Sequence, residues 1–238
     1  MIRLILDFLK KNIVIYYLND LKKLIFENFF LLKNNRTYFI AIPRSGTTLI
    51  GNMLYKFNIN IEWSNHYLKP KFNSNITHIV SIRNPIDRFI SAFYHTKYNQ
   101  KITFYKDFFI KYPEVTDLIE NLHTADALKH VRLTHVLNEG LSKFYTLENL
   151  KKTPPIYIFL YETLHKDIKH FFIQKLKIDK KKINKELKFD YGKSKKKKLN
   201  KKNKKKLLIF LKEDIKIYNY LLKMQKKINL KSQFPKII

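Results

Sequence analysis

An apolar segment that runs straight into a turn and then into a helical pattern constrains the fold more than any other feature. Residues 38–42 read as a buried strand, residues 43–48 as a turn, and apolar residues repeat at helical spacing from Leu49 onward. Such a turn leaves backbone N–H groups unpaired at a helix start, where the helix dipole favours negative charge. Gly46 lets the main chain approach a ligand closely. The segment predicts a cradle for a phosphate or sulfate group, with an ordinary helix cap as the plainer alternative.

A second apolar strand, predicted at residues 76–82, ends at Arg83 and leads into a helix that begins near Pro85. Ser91 lies two helical turns further along. Together the two segments resemble the nucleotide-binding signatures of the sulfotransferases that use 3′-phosphoadenosine 5′-phosphosulfate (PAPS). In that family the first loop holds the 5′-phosphosulfate, and an Arg-x₇-Ser pair holds the 3′-phosphate. Arg83 and Ser91 reproduce that spacing.

The resemblance implies a set of residues that bind PAPS. Arg44 is implied to contact the sulfate and the bridging oxygen, and residues 45–48 are implied to bind the 5′-phosphate. Arg83 and Ser91 are implied to bind the 3′-phosphate. Tyr161 is the first residue of a Tyr-Glu-Thr-Leu segment that is similar to the family's Tyr-Glu-Asp-Leu, with Thr163 where aspartate is usual. The resemblance implies that Tyr161 lines the adenine side of the PAPS site. A late basic loop closes the 3′-phosphate site in the family, and the only glycine-bearing candidate here contains residues 192 and 193. The implied PAPS-binding residues are Arg44, Ser45, Gly46, Thr47, Thr48, Arg83, Ser91, Tyr161, Gly192 and Lys193.

Sulfuryl transfer needs positioning, cationic stabilisation of the leaving oxygen, and a base for the acceptor proton. Arg44 supplies the cation under this interpretation. Two residues remain open as the base: His66, which follows a short strand where several branches of the family place a histidine, and Glu62, because other branches use glutamate. No metal is expected. Arg88, next to Asp87, is expected to form a surface ion pair.

The motif from Arg83 to Ala92 is similar to carbohydrate-type sulfotransferases more than to the enzymes of small phenols. It implies a glycan hydroxyl as the acceptor. Two other function classes are alternatives to this one. A P-loop kinase or ATPase requires Gly-x₄-Gly-Lys-Ser/Thr and an aspartate for Mg²⁺ at the end of the second strand, whereas no lysine directly follows Gly46 or Gly51 and Arg83 stands at the strand end. A nucleic-acid binder would explain the charge but not the spacing of the two motifs.

The formal net charge of +29 is almost entirely lysine, and only six arginines occur in the chain. Three of the six lie in the two motifs, which indicates a need for the planar guanidinium group there. We therefore expect no specific nucleic-acid partner. The absence of cysteine rules out disulfides and thiolate chemistry and suits a reducing cytoplasm.

The order of the motifs predicts an α/β fold, a single domain with a central parallel sheet flanked by helices, resembling the P-loop-like sulfotransferase fold. Residues 36–230 form that domain, with a lysine-rich loop at about 192–206 and a last helix from about Lys202 to Leu222. Further strands are predicted at 59–63 and 156–160, and helices at 47–57 and 165–176. Residues 1–35 read as an amphipathic helix that packs on the domain or, alternatively, lies on a membrane surface.

Overall fold

Four parallel strands form the centre of the protein in a computed structural model that describes residues 37–64, 77–99, 106–188 and 199–230. The strands are β1 (Thr37–Ile40), β2 (Glu62–Ser64), β3 (Thr77–Ile82) and β4 (Tyr157–Leu160), and their order across the sheet is β2-β1-β3-β4. All three strand pairs are parallel. The predicted α/β class and parallel sheet are thereby confirmed, although β1 ends two residues earlier than expected.

Successive strand residues point to opposite faces of the sheet, and both faces are covered. Phe39 and Ile79 belong to an apolar cluster on one face, whereas their neighbours Ile40 and Val80 belong to a cluster on the other. All four side chains are fully buried. Because both faces of the sheet are covered, β4 reads as a continuous apolar run without polar alternation.

Helices make up most of the remaining described chain. The first two follow β1 and β3 directly, so each begins at the carboxyl end of a strand. Their bounds are α1 (Thr47–Lys56), α2 (Pro85–Asn99), α3 (Lys106–Lys111), α4 (Val115–Glu120), α5 (Ala125–Leu133), α6 (His135–Asn138), α7 (Leu141–Phe144), α8 (Leu147–Lys152), α9 (Leu164–Lys169), α10 (Lys180–Glu186), α11 (Lys201–Phe210) and α12 (Lys212–Leu230). A 3₁₀ turn (Tyr161–Thr163) joins β4 to α9, and α9 continues as a π-helical turn (His170–Lys175).

The sequence predicts one last helix, but the structure has two helices there, α11 and α12, which meet at Leu211. Leu207 and Leu211 pack in the cluster around α2, whereas Ile217 and Leu221 pack in the cluster against the sheet. Ile215, near the start of α12, also packs against the cluster around α2, so the two helices cover adjoining parts of the core.

Arg88 corrects another expectation. Its side chain is buried and does not form a surface pair with Asp87. The guanidinium group donates hydrogen bonds to the carbonyl oxygens of Val136 (2.9 Å) and Leu137 (3.1 Å), which ties α2 to α6. A buried cation needs such partners because burial without them is strongly unfavourable.

Three predicted features lie outside the described residues: the N-terminal helical segment 1–35, His66, and the part of the lysine-rich loop that holds Gly192 and Lys193. Within the described ranges, the helices are all too short or too polar to cross a bilayer.

Candidate active site

The turn after β1 has a constrained backbone. Arg44 and Gly46 both adopt left-handed conformations, with φ of 66° and 86°. A Cβ atom on Gly46 would lie 2.4 Å from Cδ2 of Leu164, at the start of α9, and 3.4 Å from Cδ2 of Tyr161. The backbone angle at Gly46 is strained for residues with a side chain, and a Cβ atom would also displace the Leu164 side chain.

Ser45 anchors this turn from inside the protein. Its buried hydroxyl donates to the Ile42 carbonyl oxygen (2.6 Å) and lies 2.7 Å from the Ser81 hydroxyl oxygen of β3. Its backbone N–H also donates to the Ile42 carbonyl. The side chain that the resemblance assigned to the 5′-phosphate thus faces the sheet, because β3 supplies a polar partner there.

The next backbone N–H groups remain open to a ligand. Within the described chain, the amides of Gly46, Thr47 and Thr48 have no hydrogen-bond acceptor. They lie at the N-terminus of α1, where unpaired N–H groups and the helix dipole favour an anion. Thr47 is half-buried and Thr48 is exposed.

Arg83, at the end of β3, lies directly against the turn. Its Nη1 donates to the Arg44 carbonyl oxygen at 3.1 Å, and its guanidinium carbon lies 4.1 Å from the centre of the Tyr161 ring. The side chain is only 5% exposed, and Nε has no hydrogen-bond partner among the described residues. Three residues from separate strand ends therefore meet at one point, and Arg83 also supports the left-handed backbone of Arg44.

The side chain of Arg44 extends across to α2. Its Nε donates to the Ser91 hydroxyl oxygen (3.2 Å), and its Nη1 lies 3.2 Å from Nδ1 of His95. Sequence reasoning assigned Arg44 and Ser91 to opposite ends of the nucleotide, whereas here they are in direct contact. His95 was missed. Its only sequence signal is its position one helical turn after Ser91.

Positive charge accumulates at this site, where the side chain of Arg83 meets Arg44. Burial lowers the pKa of Arg44, and the charge of Arg83 lowers it further. Arg44 stays protonated near neutral pH because guanidinium is so strongly basic. No ion pair with Asp or Glu involves either arginine in the part of the chain that the structure describes. An anion placed between them would relieve their mutual repulsion.

Hydrogen bonds hold the Tyr161 segment against this cluster. The Asn84 backbone N–H donates to Oε1 of Glu162 (3.0 Å), while the Asn84 side chain accepts from the Ile86 N–H (3.0 Å) at the start of α2. The loop after β3 is thus tied to the loop after β4. An asparagine directly before a helix-starting proline was a readable capping signal.

Asp167 fixes the same segment from behind. Its Oδ2 accepts from the Leu160 N–H (2.7 Å), the Thr163 hydroxyl (3.2 Å) and Nε2 of Gln225 (3.0 Å). Burial raises the pKa of this carboxyl group, and the hydrogen bond from the Leu160 N–H opposes that rise. Thr163, where the family pattern has aspartate, therefore serves to orient Asp167.

Of the two candidate bases, only Glu62 lies among the described residues. Glu62 pairs in register with Tyr38, two residues before the carboxyl end of β1. Along the strand direction, Glu62 therefore lies further from the carboxyl end of β1 than Arg44 does. His66 lies outside the described residues, as do Gly192 and Lys193. No cluster of three or more His, Cys, Asp or Glu side chains suited to a metal occurs within the described ranges.

The geometry of the described site is thus a set of cations and open amides at the carboxyl ends of β1 and β3, the edge at which parallel α/β sheets bind ligands. Comparison with known proteins does not extend this result: the chain matches no protein-family model, no curated protein and no solved structure.

Proposed function

We propose that this chain is a sulfotransferase that moves the sulfuryl group of PAPS to a hydroxyl acceptor, with glycans as the acceptor class. One observation carries the proposal. Arg44, Arg83 and Ser91, which come from two separate motifs, meet in a single hydrogen-bonded cluster at the tips of neighbouring strands. A donor with several anionic groups would be bound by such a cluster of guanidinium and hydroxyl groups.

The chemistry of the cluster fits the donor. PAPS carries anionic groups at both ends of an adenosine, and the site offers two guanidinium groups, a hydroxyl and a row of backbone amides. Tyr161 presents an aromatic ring beside Arg83, which suits the adenine side. The fit rests on the residues present and on their charge.

In the reaction, an acceptor oxygen forms a bond to sulfur while the bond from sulfur to the bridging phosphate oxygen breaks. Negative charge then grows on adenosine 3′,5′-bisphosphate, the leaving group. Arg44 is the residue we assign to that charge, because preorganised cations at developing charge are among the strongest catalytic contributions. The acceptor proton passes to His66 or Glu62.

A transfer assay with radiolabelled PAPS tests the proposal against polysaccharides, phenols and tyrosyl peptides. We expect label on a polysaccharide hydroxyl. Arg44→Ala should lower turnover by roughly 100-fold or more, by analogy with the loss of one transition-state donor. Arg132→Ala is the matched control, since Arg132 is exposed on α5.

Variants in the transfer assay identify the base, and separate binding and hydrolysis assays test the alternative functions. Loss of turnover in His66→Ala with intact nucleotide binding would assign the base to His66, and retained turnover would move it to Glu62. Exclusive transfer to phenols or peptides would refute the glycan acceptor. ATP hydrolysis without use of PAPS would favour a kinase-like or ATPase-like protein. Salt-dependent RNA binding without a PAPS-induced thermal shift would favour a nucleic-acid binder.

A further inference from the structure

The Arg44 side chain is held by two residues of α2. Ser91 and His95 are four positions apart, so they lie on the same face of that helix. Ser91 accepts from Nε of Arg44, and Nδ1 of His95 lies at hydrogen-bond distance from Nη1. An arginine side chain has several rotatable bonds, and two contacts at different nitrogens fix the plane of its guanidinium group.

We propose that His95 is a positioning residue, which as a neutral imidazole accepts a hydrogen bond from Arg44 and holds that guanidinium group ready for an anion. The contact itself is independent of the activity. Its consequence for PAPS rests on the sulfotransferase function proposed above.

Guanidinium groups carry only donors, so the short distance between Nη1 and Nδ1 requires a lone pair on Nδ1. The ring is therefore the tautomer with its proton on Nε2. A protonated ring has no lone pair to offer and would place a third positive charge beside Arg44 and Arg83. Protonation of His95 thus removes the contact.

The surroundings of His95 favour the neutral ring. The imidazole is half-buried. Burial lowers the pKa of His95, and the charge of Arg44, which reaches it from the turn after β1, lowers it further. Arg83, at the end of β3, donates to the backbone carbonyl oxygen of Arg44 and adds positive charge to the same cluster.

The same electrostatics argue against a role as general base. A base must hold the acceptor proton in the transition state, and at His95 that proton would sit against the guanidinium of Arg44. A neutral acceptor that orients Arg44 is the role consistent with both the distance and the charge. Orientation of the cation before the ligand arrives would raise affinity, because less freedom is lost on binding.

Proton NMR titration of the histidine ring signals tests the contact without any ligand. In Arg44→Gln the pKa of His95 should rise toward the ordinary value near 6.5, because the neighbouring charge and the hydrogen bond to the neutral ring are both lost. His123→Gln, an exposed histidine in the turn after α4, should leave the His95 titration unchanged. An identical His95 pKa in the wild type and Arg44→Gln would overturn the proposal.

Calorimetric binding of adenosine 3′,5′-bisphosphate tests the consequence. His95→Leu removes the acceptor and should weaken binding roughly tenfold, whereas His95→Gln keeps a side-chain carbonyl and should stay within about threefold of the wild type. Equal binding by the leucine variant would contradict the positioning role. If the wild type does not bind the bisphosphate, the proposed function fails, while the NMR result still decides whether His95 and Arg44 interact.

Discussion

Replacement of Gly46 by alanine is the sharpest test of the turn that forms the candidate site. Two independent features of the structure oppose a side chain there. The backbone has a φ of 86°, and a Cβ atom would come within 2.4 Å of Cδ2 of Leu164. That leucine is buried in the cluster that also contains β1 and α1, so it has little room to withdraw.

The expected loss of stability follows from three contributions. Alanine in the left-handed region is unfavourable by about 1–2 kcal/mol. Displacement of a packed leucine methyl adds on the order of 1 kcal/mol, at the low end for overpacked cores. The lower entropy of the unfolded alanine chain returns about 0.4–1 kcal/mol. The net destabilisation of Gly46→Ala is therefore about 2 kcal/mol, or roughly 5 °C in Tm for a chain of this size.

Lys177→Gly is a matched control, for which we expect a change in stability of the opposite sign. Lys177 is exposed, its φ is 59°, and it follows the π-helical turn. Glycine at this position removes the same backbone penalty without touching the site. We expect Lys177→Gly to stabilise the protein by about 0.5 kcal/mol, after the larger entropy of the unfolded glycine chain is counted.

A double-mutant cycle separates the two causes. In a Leu164→Ala background the methyl contact is gone but the backbone angle remains, so Gly46→Ala should be less destabilising there by about 1 kcal/mol. Urea unfolding followed by circular dichroism gives each free energy of unfolding. A value for Gly46→Ala within about 0.5 kcal/mol of the wild type would refute the reasoning about this turn.

Three further predictions concern buried polar groups. Arg88→Met leaves the carbonyl groups of Val136 and Leu137 without their donor, and urea unfolding should show a loss of roughly 3 kcal/mol; a loss below 1 kcal/mol would contradict the buried role. Burial lowers the pKa of His78 from 6.5 to about 3. Between pH 6.5 and 3, His78 is therefore protonated in the unfolded chain but neutral in the folded chain. The free energy of unfolding should fall by up to about 1.4 kcal/mol per pH unit as pH drops from 6.5 toward 3. His78→Leu should have a flatter stability profile over that range, and equal slopes would exclude this cause. Asp167→Ala removes the acceptor for three donors and should lower the free energy of unfolding by about 2–4 kcal/mol; Asp167→Asn, which keeps one acceptor oxygen, should lose less.

The sequence alone determined the secondary structure around the candidate site. Apolar runs marked the strands, and helix-start signals followed them at Thr47 and Pro85, because these features depend on neighbouring residues. The carboxyl ends of parallel strands share one edge of a sheet, so the approach of Arg83 to the turn was also predictable. The identity of the general base was not, since both candidates depended on family resemblance.

Only the tertiary structure decided where the polar side chains of the site point. Arg44 contacts Ser91 and His95, which are 47 and 51 residues away in the chain. Ser45 turns inward because Ser81 lies beside it on β3. Local sequence sets backbone preference through steric and hydrogen-bonding effects within a few residues. Long polar side chains adopt the orientation that pairs their donors and charges, and those partners are known only once distant segments have packed together.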